Sequence, residues 1–436
     1  MGKRVGVLGA AAALVVGAAG MWACSGGEVE TPAPAPVPVA TPAPPAPAAE
    51  PDGPLATILM SQAQFVSQGG KPKPGPAKLV LWRTDGKQWW SQKIEDPDSN
   101  VFHKAIWWRD GILTIAAGQV GYDPAKPATL RHWKKQGNTW VATTLYEAKW
   151  GGKFQRFRDF EIGDVSGDGK DDIVIATHDM GVVAVGSETA DGKWEFVQMD
   201  EQKDTFVHEV EIGDVDGDGK KEFYVTPSER NKASGESQPG AVARYDFKDG
   251  KYVRSWVAQW AESHAKEILV TDVDKDGKDE LYVVREGHTV KGADGKLEIK
   301  DPVAILRMDP GKNGKFTEVK VATVDDKQTR FLVPGDVNGD GKTDLVAASE
   351  GKGLFVLQQV GDGTFSTTLI DAESGGFEHA THVADLDGDG KVEIYVAADK
   401  QKEFRRYIWD GTTYKREKIA DIPAQHITWN LQDGKF

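Results

Sequence analysis

Cysteine is nearly absent: the chain has one, Cys24, in 436 residues. No internal disulfide can brace the rest of the chain, which makes bound metal the expected staple. Long stretches of helical hydrophobic periodicity are also missing, and abundant glycine and tryptophan point instead to many short strands joined by turns. Positive charge falls short of negative, with 53 Lys and Arg against 67 Asp and Glu and a formal net charge of −14. A nucleic-acid partner is therefore not expected. Catalytic signatures are lacking as well. There is no G-x-S-x-G elbow, no H-E-x-x-H, no sialidase-type Asp box and no cysteine nucleophile beyond residue 24. On these grounds no enzymatic activity is expected, although a carboxylate or histidine set drawn from distant segments would leave no such signature.

The one long apolar run, Val5–Ala23, follows Lys3 and Arg4 and ends at Cys24. It is too short and too rich in Gly and Ala for a spanning helix, and reads as a secretory signal over residues 1–24. Its end, Met21-Trp22-Ala23-Cys24, is similar to a bacterial lipobox, with Met21 where Leu is usual and a bulky Trp22. Lipidation at Cys24 is the expectation. Residues 25–54 are rich in Pro and Ala and poor in large apolar side chains, and read as a semi-rigid tether. The expected protein is extracytoplasmic: a monomeric head, residues 55–436, anchored by lipid to a bacterial membrane. Ser25 favours the outer membrane, with the head in the periplasm or at the surface.

An acidic loop recurs five times, each copy followed by an apolar strand. At positions 1, 3, 5, 7 and 9 it reads Asp164, Ser166, Asp168, Lys170, Asp172; Asp214, Asp216, Asp218, Lys220, Glu222; Asp272, Asp274, Asp276, Lys278, Glu280; Asp336, Asn338, Asp340, Lys342, Asp344; and Asp385, Asp387, Asp389, Lys391, Glu393. Oxygen side chains on alternate residues of a tight turn converge on one point. The position-7 carbonyl joins them, and glycine at position 6 permits the bend. Carboxylates forced this close repel strongly unless a cation lies between them. The expected ion is Ca²⁺, in about five sites. An EF-hand is excluded, because position 12 is Ile175, Val225, Val283, Ala347 or Val396 instead of Glu, and a strand follows. The loop's own oxygens fill most of the coordination shell and no histidine joins them, so the role expected of the metal is structural.

Two further registers accompany the loops. A Gly turn followed by an aromatic recurs seven times: Gly86 with Trp89, Gly137 with Trp140, Gly192 with Trp194, Gly250 with Tyr252, Gly314 with Phe316, Gly363 with Phe365, and Gly411 with Tyr414. Six residues before each loop stands a basic residue, Arg158, His208, Lys266, Arg330 or His379, and His103 and His426 open two similar segments without loops. One scheme fits all three registers. Each unit has four strands, A to D, with the acidic loop joining A to B and the Gly turn joining C to D. Such units cannot bury both faces alone, so the predicted fold is all-β: a seven-bladed β-propeller of four-stranded antiparallel blades. The chain begins with B, C and D strands and ends with an orphan A strand from His426, so closure by pairing of the N- and C-terminal strands is predicted. That pairing would protect an open edge.

The loop D-x-[DNS]-x-D-G-x-x-[DE] before an apolar strand, spaced 49 to 64 residues, resembles the FG-GAP/VCBS-type repeats of integrin α-subunit propellers and many secreted bacterial proteins. The resemblance spans about Asp159 to Ala398 and implies a calcium-binding propeller.

In such a blade the acidic loops lie on one face, and the basic starts of the A strands gather on the other, around the mouth of a central channel. His103, Arg158, His208, Lys266, Arg330, His379 and His426 are therefore the candidate ligand face. The B-to-C loop residues Gln119, Tyr122, His178, Asp179, Glu229, Arg230, Arg285, His288, Glu350 and Lys352 are expected nearby. A ring of one charge sign would focus on an anionic group, or merely pair with neighbours such as Asp159 and Glu209. Of the tryptophans crowding the first two units (Trp82, Trp89, Trp90, Trp107, Trp108, Trp133, Trp140 and Trp150), most are expected in the core. The function these features suggest is a binding or scaffolding module for a glycan, envelope polymer or protein. The alternative is a polysaccharide-degrading lyase or hydrolase on the same fold.

Overall fold

The computed structural model describes residues 50–51, 53–118, 126–150, 156–178, 180–230, 232, 234–361 and 363–435. All but Glu50 lie in the unit Pro51–Phe436, which follows a first unit Met1–Glu50. Cys24, the signal at 1–24, the tether as far as residue 49, and Gln119, Tyr122 and Asp179 fall outside the described residues.

The architecture is all-β and propeller-like. Phe157–Gly163, Asp172–Thr177, Val183–Glu188 and Trp194–Met199 form one four-stranded antiparallel sheet in chain order. Sheets of the same order start at Thr205, Ala265, Thr329 and Thr381. The one starting at Ala265 carries an extra hairpin, His288–Lys291 with Leu297–Asp301, between its second and third strands. The remaining strands share a nine-stranded sheet. Within it, Val101–Trp108 leads one four-stranded run that ends at Thr139–Ala148. The other run is His426–Lys435, Ala56–Gln68, Ala77–Thr84 and Trp89–Asp96, so the last strand of the chain pairs antiparallel with the first. Among the described residues, the two runs are joined by strand pairing only where Ala63 faces Val101.

Burial follows strand position. The second strands are apolar on both faces: Ile173, Val174 and Ile175 are fully buried, as are Phe223, Tyr224 and Val225, and Ile394, Tyr395 and Val396. These are the near-continuous apolar runs expected of a strand covered on both sides. The outer strands alternate, as in Thr139–Ala148, with one face towards water. Trp108 and Trp133 belong to the core, and Trp82, Trp89, Trp107, Trp140 and Trp150 pack against it.

The inner strands lie side by side in succession, from Phe157–Gly163 through those starting at Thr205, Ala265, Thr329, Thr381 and His426, then to Val101–Trp108 and back to Phe157–Gly163. Close approach at their far ends requires glycine. A Cβ on Gly213 would lie 2.3 Å from Val270 Cγ1, and one on Gly335 would lie 2.5 Å from Val383 Cγ1.

Candidate functional site in the central channel

The acidic loops begin where the inner strands end. In every copy the position-1 carboxylate folds the loop around itself, accepting the N–H of the position-6 glycine at 2.8 to 2.9 Å. Those glycines, Gly169, Gly219, Gly277, Gly341 and Gly390, have φ between 84° and 91°, a region in which a side chain is strained. The N–H groups of Lys170, Lys220, Lys278, Lys342 and Lys391 donate to the position-5 carboxylates. In three copies, ligand oxygens lie within 4.8 Å of one another: Asp214, Asp216, Asp218 and Glu222; Asp272, Asp274, Asp276 and Glu280; and Asp385, Asp387 and Glu393. Burial, with nearby carboxylates adding to it, raises Glu222, Glu280 and Glu393 to about 7. Crowding of this kind is relieved by a cation, and these oxygen-only sets could hold a metal ion. The first and fourth loops have Ser166 and Asn338 in place of one acid.

At the other end of the inner strands a recurrent irregularity sets the chemistry. The pairing register slips at His103, at Arg158, across His208 and Glu209, at Lys266, at Arg330 and at Trp429. Each slip is a β-bulge, which re-aims side chains and frees consecutive residues from strict alternation. As a result both His103 and Lys104, and both Arg158 and Asp159, line the same axial cavity, together with Glu161, Glu209, Glu211, Glu267 and Trp429. Its volume is about 180 Å³.

Five of the seven basic starts form one electrostatic cluster: His103, Arg158, His208, Lys266 and Arg330. They are buried, at 1 to 7% exposure, and do not form the open cationic funnel expected. Arg158 Nη2 faces Glu378 Oε2 at 3.6 Å, and Arg330 Nε faces Glu286 Oε1 at 3.4 Å. Burial, reinforced by the arginines and Lys266, pushes His103, His178 and His208 well below the usual histidine range, so their imidazoles are neutral. Burial also lowers Lys266 to about 8 against the opposing pull of Glu286. The charge of the layer thus comes from guanidinium and ammonium groups, with Glu286 and Glu378 interleaved.

The hydrogen bonds fix the imidazole tautomers. Arg156 Nη1 lies 3.4 Å from His178 Nδ1, so that nitrogen accepts. His178 Nε2–H must then donate to His208 Nδ1, 3.3 Å away, which leaves His208 Nε2–H as a buried donor without a partner among the described residues. Arg158 Nε likewise has no hydrogen-bond partner there, whereas Arg330 Nε has the Glu286 carboxylate at 3.4 Å. His103 differs. Its Nδ1 donates to the Phe157 carbonyl at 2.7 Å, so its unpartnered Nε2 is an acceptor.

His379 and His426 are not part of this cluster. The first sits at φ 40°, with its imidazole between Ser374 Oγ and the Ser349 carbonyl, and Glu378 takes the place beside Arg158 and Arg330. The inner strand of that sheet starts only at Thr381, after the chain has turned its histidine away. His426 bonds to Gln62 where the last strand meets the first. Of the expected loop residues, His178 joins the cluster, Glu350 pairs with Lys327 at 3.0 Å, and His288 pairs with Asp301 at 3.4 Å.

Sequence reasoning missed the layer beneath. Lys104 Nζ lies 3.0 Å from Asp159 Oδ1 and also contacts Glu161. Glu209, Glu211 and Glu267 share the cavity with them. Burial, then mutual repulsion, raises Glu209 and Glu211 well above the usual carboxylate range, and burial raises Glu267 to about 8. Burial would raise Asp159 too, but the Lys104 ammonium holds it low. Asp159 therefore serves Lys104 and accepts the Val210 N–H at 2.9 Å, and it does not neutralise Arg158. The available signal was the alternation of acid with apolar residues, Asp159-Phe160-Glu161 and Glu209-Val210-Glu211, along strands otherwise destined for the core.

The model of the FG-GAP-like repeat matches residues 164–225, 272–347 and 336–396, each stretch opening on the first aspartate of an acidic loop. The chain carries FG-GAP-like repeats. No curated protein matches it. Solved structures similar to this FG-GAP-like chain include a Lactobacillus plantarum protein, at 13% identity and a TM-score of 0.58, over 87% of this chain and 99% of that one. A Bacteroides fragilis protein provisionally named 6-phosphogluconolactonase has 15% identity and a TM-score of 0.54, over 87% and 98%. A periplasmic gluconolactonase from Pseudomonas aeruginosa has 13% identity and a TM-score of 0.53, over 87% and 98%. The likeness is one of fold. It nevertheless corrects the expectation that the chain is no enzyme, because proteins of this architecture bear lactonase names. Missing sequence motifs are no argument against catalysis on such a scaffold.

Proposed function

We propose that this FG-GAP-like protein is a calcium-stabilised, seven-bladed propeller that binds an anionic group of a glycan or envelope polymer at the mouth of its axial channel. The seven-bladed closed ring is supported by the continuous succession of inner strands and by the pairing of the first strand with the last. Calcium is supported by the oxygen-only loops, and on this reading five Ca²⁺ hold the A-to-B connections rigid. Lipid at Cys24 would tether the head to a bacterial membrane, the outer membrane by preference. The observation that carries the binding reading is a pair of buried donors without partners among the described residues, Arg158 Nε and His208 Nε2, gathered at one end of the channel. Unsatisfied buried donors are costly, and an incoming carboxylate or phosphate oxygen would relieve that cost.

A second reading, that the bound anion is also a substrate, is favoured by Lys266. With its ammonium at about 8 and coupled to Arg158, it could take a proton next to a carboxylate that Arg158 neutralises. Calorimetry with glucuronate, with glucose as the uncharged control, tests the first reading. Binding should be confined to glucuronate and lost in R158Q/R330Q, and equal binding of the two sugars would refute it. Incubation with polygalacturonate tests the second: loss of polymer over time supports it, and unchanged polymer refutes it.

A further inference from the structure

The axial cavity is bipolar along its length. Arg158 and His103 stand near the starts of their inner strands, and Glu209, Glu211 and Glu267 stand one to three residues past the basic positions of two neighbouring inner strands. Lys104 is already engaged by Asp159 and Glu161, so those three glutamates share only the more distant pull of Lys104 and Arg158, which does not offset their burial. We infer that the ligand is zwitterionic: its anionic group meets Arg158 at the mouth, and an ammonium group enters between Glu209, Glu211 and Glu267. This rests on the anion-binding reading above and adds the second half of the ligand to it.

Three observations carry the inference. The first is shape, because one continuous cavity of about 180 Å³ is lined by both sets of groups. The second is the donor inventory. Arg158, itself 7% exposed, faces Glu378 through Nη2 but has a guanidinium N–H, on Nε, with no partner among the described residues, in a cavity otherwise lined by five carboxylates. A purely anionic ligand would have to lie against those carboxylates, and a purely cationic one would leave the Arg158 Nε–H unanswered. The third is spacing. The acids follow the bulged basic residues by one to three positions, which sets the two groups roughly 3 to 10 Å apart along the channel. A short amino acid or an amino sugar bearing a carboxylate has that reach. A bare metal ion fits less well. The loop carboxylates converge within 4.8 Å of one another, and the channel carboxylates are not among the sets that do so. Burial has raised these glutamates towards neutrality, and an ammonium that donates to them restores their charged form.

The experiment uses matched probes on the calcium-loaded protein, 6-aminohexanoate against hexanoate and 4-aminobutyrate against butyrate, with binding read by calorimetry. The ammonium should tighten binding roughly tenfold to a hundredfold, as a charge-assisted hydrogen bond does. E209Q/E211Q should erase that difference by weakening the amino probes, without weakening hexanoate. R158Q should weaken hexanoate and 6-aminohexanoate alike. Equal affinity of amino and plain carboxylates for the unmodified protein, with both weakened by R158Q, would overturn the zwitterion and leave the anion-binding reading standing. Failure of both carboxylates and glucuronate to bind would overturn both readings. The comparison of probes on the unmodified protein decides the matter even if a variant does not fold.

Discussion

Replacing Glu267 with Gln offers a direct test of the buried acid layer. The side chain is 7% exposed, and its Oε1 accepts the Leu332 N–H at 2.8 Å, a bond that Gln can keep. Burial raises the folded carboxyl from 4.5 to about 8. Between those values the folded state holds a proton that the unfolded chain has released, so stability falls as pH rises through that window. At 1.36 kcal/mol per unit, the full shift to about 8 corresponds to about 5 kcal/mol. Glu267 titrates together with the neighbouring carboxylates, so its own share is roughly half, ~2 to 3 kcal/mol. Gln is a permanent mimic of the protonated acid. E267Q should therefore match the unmodified protein near pH 5 and exceed it by ~2 to 3 kcal/mol near pH 9. Urea unfolding at both pH values, with calcium held saturating so that the loops contribute equally, measures the difference. Unmodified protein as stable at pH 9 as at pH 5, or E267Q declining just as steeply, would refute the account of a proton-holding layer.

Two further outcomes follow from other parts of the fold. If the acidic loops hold calcium with the affinity of extracellular modules, about 0.1 to 1 mM, each site adds roughly 0.4 to 1.4 kcal/mol at about 1 mM ion, and five together add about 2 to 7 kcal/mol. A chelator should then lower the melting temperature measurably, and an unchanged melt would exclude stabilising metal. A Cβ on Gly434 would fall 1.6 Å from Trp107 Cδ1, so G434A must push the indole aside at a cost of ~1 to 3 kcal/mol; G434A/W107F should recover part of it, and unchanged stability of G434A in thermal melts would show that this packing is wrong.

How far the sequence foretold this depends on which residues one asks about. Turns were legible because they need particular residues: only glycine tolerates the φ of Gly169 or Gly390, and only carboxylates at fixed spacing make the loop. The core strands were legible from Ile173-Val174-Ile175 and its counterparts. The channel was legible only in part. Period-two alternation assigns Arg158 and Asp159 to opposite faces, yet the bulge between Phe157 and Asp159 brings both into one cavity. A bulge has no fixed composition, so no residue announced it. Nor could a list of basic residues reveal that burial would neutralise His103, His178 and His208, or that Glu378 would stand where His379 was expected.

The pairing of Ala56–Gln68 with His426–Lys435 also bears on when this chain can fold. Gln62 bonds to Thr428 across 366 residues, and Ala56 lies opposite Lys435. Bringing such distant segments together across a flexible chain costs about 5 kcal/mol in loop entropy, so the contact forms late, after the intervening sheets have shortened the gap. During synthesis the first strand gains Ala77–Thr84 on one side early but must wait for His426–Lys435 on the other. Until then its edge is open to other chains. A ribosome-bound intermediate is thus held short of the native pairing until His426–Lys435 has emerged, which leaves the polypeptide threadable up to that point.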